Sequence, residues 1–173
     1  MRVRNYPGTS KGWIAVLLLV LPLSAQEDRG KAELAVNGGK IVVDYGRPQL
    51  KGRDPLTWQK DGAYWRMGMN DMTTITTPVD LVFGTSRIAK GTYGLWLMKV
   101  SADRYELVFN SETSGMGMMH DKAKDVASVA LKKEAVPDSI ETFSIELKQA
   151  AKGGTFSMTW GTTRLRADFQ AGK

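Results

Sequence analysis

Hydrophobic and polar residues alternate along most of the chain after residue 30, with the period of half-buried β-strands. Two such runs, AELAV at 32–36 and IVVDY at 41–45, flank the tripeptide Asn37-Gly38-Gly39. These turn residues tolerate positive φ, as a tight hairpin requires. The pattern therefore predicts a β-hairpin over residues 32–46.

Further alternating or wholly apolar runs predict the remaining strands. They lie at residues 73–83, 87–100, 105–109, 126–131, 143–147, 156–160 and 165–169. Pro78 interrupts the first of them, which indicates an edge strand or two strands joined by a kink. Leu95 to Met98 is apolar on both faces and is typical of a central strand that is covered on both sides. A short helical turn is expected near Asp121–Asp125.

We expect these elements to form one all-β domain, a single antiparallel β-sandwich or jelly-roll-like fold of about eight or nine strands. Residues 47–64 and 110–125 lack a hydrophobic period and are rich in glycine and other loop-forming residues. Both are expected to be long loops, and long ordered loops in compact domains are often functional.

The first 25 residues have the pattern of a secretory signal peptide. Arg2, Arg4 and Lys11 precede an uncharged apolar run at 13–21, and the segment ends at Ala25. Nine apolar residues are too few for a membrane span, which needs about 20. We expect cleavage after Ala25, no stable membrane span afterwards, and an exported domain at 26–173 that is periplasmic or secreted. The alternative is a segment retained as an anchor.

Charge and composition exclude several classes of protein. Three of the 24 basic residues and none of the 18 acidic ones lie in the signal segment, so the mature chain carries 21 basic and 18 acidic residues, a net charge of +3. This weak charge without a basic run argues against nucleic-acid binding. The absence of cysteine excludes disulfides, thiolate zinc sites and iron–sulfur clusters.

Several motifs, taken in order, resemble a bacterial exported family known as domain of unknown function 2911. They are Tyr45-Gly46-Arg47-Pro48, Lys51-Gly52-Arg53, Trp65-Arg66 with Gly68, Asn70 and Thr73 to Thr76, Gly91 to Leu95, and Leu107 to Asn110. The resemblance covers residues 44–169. It implies export and an all-β fold, and it brings no established activity. The methionines at 67, 69 and 72 and the stretch at 115–120 depart from the family pattern.

The usual catalytic side chains are scarce. His120 is the only histidine, which removes metal sites that need two or three. A Ser-His-Asp triad would have to use His120, yet no Gly-x-Ser-x-Gly motif is present. A hydrolase of the glycoside type, working with two carboxylates, is an alternative. Its candidate acids are Asp44, Asp54, Asp61 and Asp71.

The segment from 47 to 72 carries the best candidates for ligand binding. The predicted ligand-binding residues are Arg47, Arg53, Trp65, Arg66, Asn70 and Asp71. Guanidinium groups offer a planar fork to carboxylates or phosphates, and Trp58, Tyr64 and Trp65 offer flat surfaces for stacking. The alternative is that each arginine pairs with a nearby acid and merely fixes the loop.

Methionines cluster in two stretches, at 67–72 and at 116–119. Thioethers are soft ligands that select Cu(I), which makes a copper site a second alternative. Its predicted ligands are Met116, Met118, Met119 and His120. Against this, methionine also fills irregular gaps in cores and loops.

The sequence therefore favours an exported, non-enzymatic ligand-binding or envelope-associated domain that uses the 47–72 loop, with the 110–125 loop opposite. The expected partner is a small molecule or an envelope component, and no cofactor is expected apart from the alternative Cu(I).

Overall fold

The computed structural model of the chain describes residue 1 and residues 29–53, 56 and 59–172. The predicted signal segment after Met1 lies outside the described residues, and so do the candidate acid Asp54 and the candidate stacking residue Trp58. No helix within the described ranges is long and apolar enough to cross a membrane.

The described residues form ten β-strands and a short 3-10 helix. The strands are β1 (Arg29–Val36), β2 (Gly39–Gly46), β3 (Tyr64–Trp65), β4 (Thr74–Thr77), β5 (Leu81–Phe83), β6 (Ser86–Ile88), β7 (Gly91–Ser101), β8 (Arg104–Asn110), β9 (Asp125–Ala150) and β10 (Gly153–Ala171). All pairs are antiparallel, in the order β1-β2-β4-β7-β8-β9-β10-β5-β6, with β3 on β7, and the sheet is not closed. The predicted all-β antiparallel class is confirmed.

The predicted N-terminal hairpin is also confirmed. Val36 pairs with Gly39 across the turn, and Gly38 takes the positive φ of 89° that the turn requires.

Farther along, the run at 73–83 divides at Pro78 into β4 and β5. Of the two possibilities that Pro78 left open, the structure shows two strands, and they pair with different neighbours.

Four short strands were expected between residues 126 and 169, and the structure has two long ones instead. β9 pairs with β8 through Leu131 and with β10 from Lys132 onward. Register shifts on both sides of Gly161 take up the extra residues around Pro137, so that neither strand has to end there. β9 therefore joins two parts of the sheet, one that runs from β1 to β8 and one that contains β10, β5 and β6. The sheet folds over along β9, so that these two parts pack against each other.

One hydrophobic core lies between the two parts of the folded sheet. Aromatic pairs link strands of the two parts, such as Phe83 with Phe109, whose ring centroids are 5.7 Å apart. Leu95 and Leu97 point into this core, whereas Trp96 belongs to a small second cluster with Met72 and Val108. Since both faces of this part of β7 are covered, the prediction of a central strand is confirmed.

Candidate functional site

The two long loops meet over the second cluster, on the outer face of the sheet. The backbone N–H of Met72 donates to the carbonyl of Gly115 at 3.0 Å. The Arg66 guanidinium donates to the carbonyl of Met116, and Gly117 packs beside the side chains of Arg66 and Met72. The end of the 47–72 loop and the 110–125 loop therefore form one surface.

A tight local structure holds residues 66–73 in place. Met67 and Asn70 adopt positive φ values of 53° and 59°, which bend the chain sharply. The Thr73 hydroxyl donates to the carbonyl of Met67 at 2.7 Å and closes the bend. Gly46 lies directly against the backbone of Met69, in a space that a Cβ atom could not share. This packing fixes the position from which Arg66 reaches the second loop.

Alternation along β3 directs two adjacent aromatic side chains to opposite faces of the sheet. Tyr64 pairs with Met98 and packs against the second cluster, whereas Trp65 pairs with Leu97 and packs against the core. The Trp65 ring also stacks on Trp160, with centroids 5.2 Å apart. Tyr64 is thus the aromatic side chain of β3 that faces the second loop.

His120 is the central side chain of this surface. Its side chain is only 6% exposed, and its Nε2 lies 2.8 Å from Oδ1 of Asp125. The imidazole stacks on the Tyr64 ring at a centroid distance of 3.7 Å and meets Trp96 edge-on at 5.1 Å. Because an ionised carboxylate only accepts hydrogen bonds, the arrangement places a proton on Nε2.

Asn110 completes the hydrogen-bond network around this histidine. Its side-chain amide donates to Oδ1 of Asp125 at 2.9 Å and to the carbonyl of Asp121 at 3.0 Å, and its Oδ1 accepts from the backbone of Glu112 at 2.9 Å. Asn110 is buried, so these bonds are shielded from water. The network therefore fixes both the loop and the carboxylate that faces His120.

The surroundings of Tyr64 favour its protonated form. Burial raises the pKa of the Tyr64 hydroxyl above its usual value, and the nearby Asp125 and Glu106 carboxylates raise it further. The ring facing His120 is a neutral phenol at neutral pH, as an unperturbed tyrosine is, and the raised pKa extends this form to more alkaline pH.

A cavity of about 420 Å³ opens beside the stacked pair. Its lining consists of Tyr64, Trp65, Arg66, Trp96, Gly117, Met118 and His120. Trp96 is 3% exposed, and its indole N–H has no hydrogen-bond acceptor among the described residues. The cavity thus combines aromatic walls and one arginine side chain.

The structure brings together only part of the predicted ligand-binding set. Trp65 and Arg66 line the cavity, and the other four residues do not. Arg47 lies beside Gly30, and Arg53 donates to the carbonyl of Leu50 at 3.2 Å. Asn70 and Asp71 are exposed at the bend. A role for these four in ligand binding stays a prediction.

The predicted metal set lies on the second loop. Met116, Met118 and Met119 are 59%, 75% and 85% exposed. Met118 reaches back to the first loop, where its Sδ lies 3.7 Å from Nη1 of Arg66. Within the described residues, no group of three or more His, Asp or Glu side chains is placed to hold a metal ion.

Two of the acids considered for hydrolysis are engaged in ion pairs, whereas Asp71 is exposed at the bend. Asp44 pairs with Arg29, and Asp61 lies 3.7 Å from Nζ of Lys99. The carboxylate beside His120 is that of Asp125, which the sequence did not single out. Asp121, which directly follows His120 in the sequence, instead accepts a hydrogen bond from the backbone N–H of Ala123 and caps the 3-10 helix Lys122–Lys124. That helical turn was expected at this position and is confirmed.

Sequence reasoning missed three residues of this site. Asp125 lies five positions from His120 across a helical turn, a spacing with no diagnostic value. Asn110 had one signal, since it ends the motif Leu107 to Asn110 of the family resemblance. Trp96 also had a signal in the sequence, since it lies within the apolar run Leu95 to Met98, which predicted a strand that is buried on both faces.

Comparison with known families agrees with the motifs. The model of a family described as "Protein of unknown function (DUF2911)" matches residues 27–169, which is most of the chain. The chain belongs to this family. The match includes β1 to β8 and both loops of the candidate site, so the DUF2911 domain contains the whole cavity. No curated protein and no solved structure matches the chain.

Proposed function

We propose that this DUF2911 protein is a non-enzymatic binding protein for a small organic anion with a flat apolar part. The cavity between the two loops is the binding site. The observation that carries the proposal is that Arg66 and the aromatic residues Tyr64, Trp65 and Trp96 line one open cavity.

Each part of the cavity suits one part of such a ligand. The Arg66 guanidinium is suited to a carboxylate or phosphate group. Tyr64 and Trp96 offer apolar surface to a flat ring.

The test is a titration of the isotope-labelled chain with benzoate, followed by nuclear magnetic resonance, with neutral benzamide as the matched probe. We expect benzoate to shift the indole N–H signal of Trp96, assigned with Trp96→Phe, and benzamide to bind more weakly. Substitution Arg66→Gln should weaken benzoate binding by about tenfold or more, because a charge-assisted hydrogen bond contributes about 1.5–3 kcal/mol.

Arg53→Gln is the matched control. It removes the same charge from the first loop but lies outside the cavity, so benzoate binding should not change. If Arg53→Gln weakened binding and Arg66→Gln did not, the binding site would lie elsewhere on the loop. Benzoate and benzamide binding with equal affinity would contradict the role of the guanidinium.

We also propose that the domain acts outside the cytoplasm, in the periplasm or secreted, where the ligand is a free small molecule or an envelope component. The support is the N-terminal pattern of a basic segment, a short apolar run and Ala25. Cell fractionation with mass determination of the N terminus tests this. A chain that is found uncleaved in the cytoplasm would contradict it.

A further inference from the structure

Three methionines of the second loop have an exposure that packing does not explain. Met116, Met118 and Met119 are all more than half exposed. Isolated exposed apolar residues are common, but three within four positions form a concentrated apolar group in water. Filling of core gaps accounts for Met67 and Met72, which are buried, and cannot account for these three.

The neighbouring imidazole has the arrangement of a metal-binding histidine. Metal-binding histidines usually donate their second ring N–H to a carboxylate or carbonyl, which fixes the ring and the tautomer. His120 does so through Nε2 to Asp125, and Asn110 holds that carboxylate in place. In the neutral ring, Nδ1 then carries the lone pair that can bind a metal.

We propose that residues 116–120 bind one Cu(I) ion through thioether sulfurs of the three methionines and Nδ1 of His120. Thioether and imidazole are ligands that Cu(I) accepts, and soft sulfur selects it over hard cations. Gly115 and Gly117, at φ values of 96° and 57°, give the loop sharp backbone bends on both sides of Met116.

Arg66 opposes this site, and its effect is testable. Its Nη1 lies 3.7 Å from Sδ of Met118, so a cation bound to that sulfur would meet a positive charge. Arg66→Gln should therefore strengthen Cu(I) binding, although the same change should weaken benzoate binding. The two proposals use different donor atoms, and either can fail without the other.

The first experiment is an anaerobic Cu(I) titration of the full chain as purified, in competition with a chromophoric Cu(I) chelator. We expect one tightly bound ion in the wild-type protein and loss of that binding in the triple variant Met116→Leu, Met118→Leu, Met119→Leu. Met69→Leu is the matched control, because it removes a partly buried thioether of the first loop, outside residues 116–120, and should leave Cu(I) binding unchanged. Equal binding by the wild-type and triple-variant proteins would overturn the proposal.

The second experiment tests the role of His120. Asp125→Asn should weaken Cu(I) binding by about 10–100-fold, the usual effect of losing the carboxylate behind a histidine ligand. Silver(I), a redox-inert substitute, should shift the methyl resonances of the three loop methionines and leave that of Met67 unchanged. Shifts confined to other methionines, or affinity unaltered in Asp125→Asn, would contradict the assigned ligands.

Discussion

The two methionine-rich segments of this protein contain the same residue type in different environments. In the segment 67–72, Met67 is fully buried in the main core and Met72 lies in the second cluster beneath the loop. In the segment 116–119, the methionine side chains are exposed to solvent. The segments touch each other where Gly117 meets Met72 and Arg66. The comparison shows that burial, rather than residue type, decides which methionines have a packing role.

The largest effect is expected for Met67→Ala. Removing a fully buried methionine side chain leaves a cavity and should lower the free energy of unfolding by about 2–5 kcal/mol. Urea denaturation measures this, with the exposed Met116→Ala as the control, which should change stability by less than about 0.5 kcal/mol. Equal losses in the two variants would remove the distinction between the segments.

Gly117→Ala should have an intermediate effect, because Gly117 lies at the contact between the segments. An alanine there takes on the positive φ of 57°, which costs about 1–2 kcal/mol. Its Cβ would also lie 3.1 Å from Cγ of Met72 and 3.2 Å from Cβ of Arg66. Gly115→Ala is the matched control, since it also has positive φ but would meet no atom within 4 Å. If both variants lost the same stability, the contact between the segments would contribute nothing.

Tyr64 connects the two regions by its stack on His120, and its titration should have a smaller effect that is confined to alkaline pH. Its pKa is raised in the folded protein by burial and by the two nearby carboxylates. The protonated phenol is therefore favoured by folding, so its contribution is complete below the usual value of 10.0 and is lost as the pH rises through the folded pKa.

This can be measured from the stability of the wild-type and Tyr64→Phe proteins between neutral and alkaline pH. We expect the wild-type protein to lose more stability above pH 10 than the variant does, since phenylalanine does not ionise. Parallel curves for the two proteins would mean that the Tyr64 environment does not distinguish the phenol from the phenolate.

The smallest effect is expected for the triple variant Met116→Leu, Met118→Leu, Met119→Leu. Since these side chains are exposed, each of the three substitutions should change the free energy of unfolding by less than about 0.5 kcal/mol. Thermal and urea denaturation without added metal provide the measurement. A loss approaching that of Met67→Ala would show that the loop methionines pack, and it would remove the reason to assign them a ligand role.

Much of the fold could be predicted because its signal is local. Alternation with a period of two placed the first hairpin, proline marked the break at Pro78, and a wholly apolar run marked the doubly covered part of β7. The number of strands after residue 125 could not be read in this way. Pro137 and Gly161 look like strand ends in isolation, yet pairing with the long partner strand carries both chains through an irregular region.

Part of the candidate site could also be predicted. Arg66 and Trp65, with Met118 and His120, were singled out by chemistry alone, and they line the same cavity. The hydrogen-bond partner of His120 could not be found, because the helical turn after Asp121 brings Asp125 rather than Asp121 to the ring.

The sequence by itself determined the antiparallel β class, the family and the soft, aromatic and cationic side chains at the site, because these are properties of residue type and local period. Only the tertiary structure decided which methionines are buried, which acid orients His120 and which arginine enters the cavity. Those facts depend on two loops, separated by β4 to β8, meeting on one face of the sheet. That meeting results from strand pairing between distant residues, which no short stretch of sequence contains.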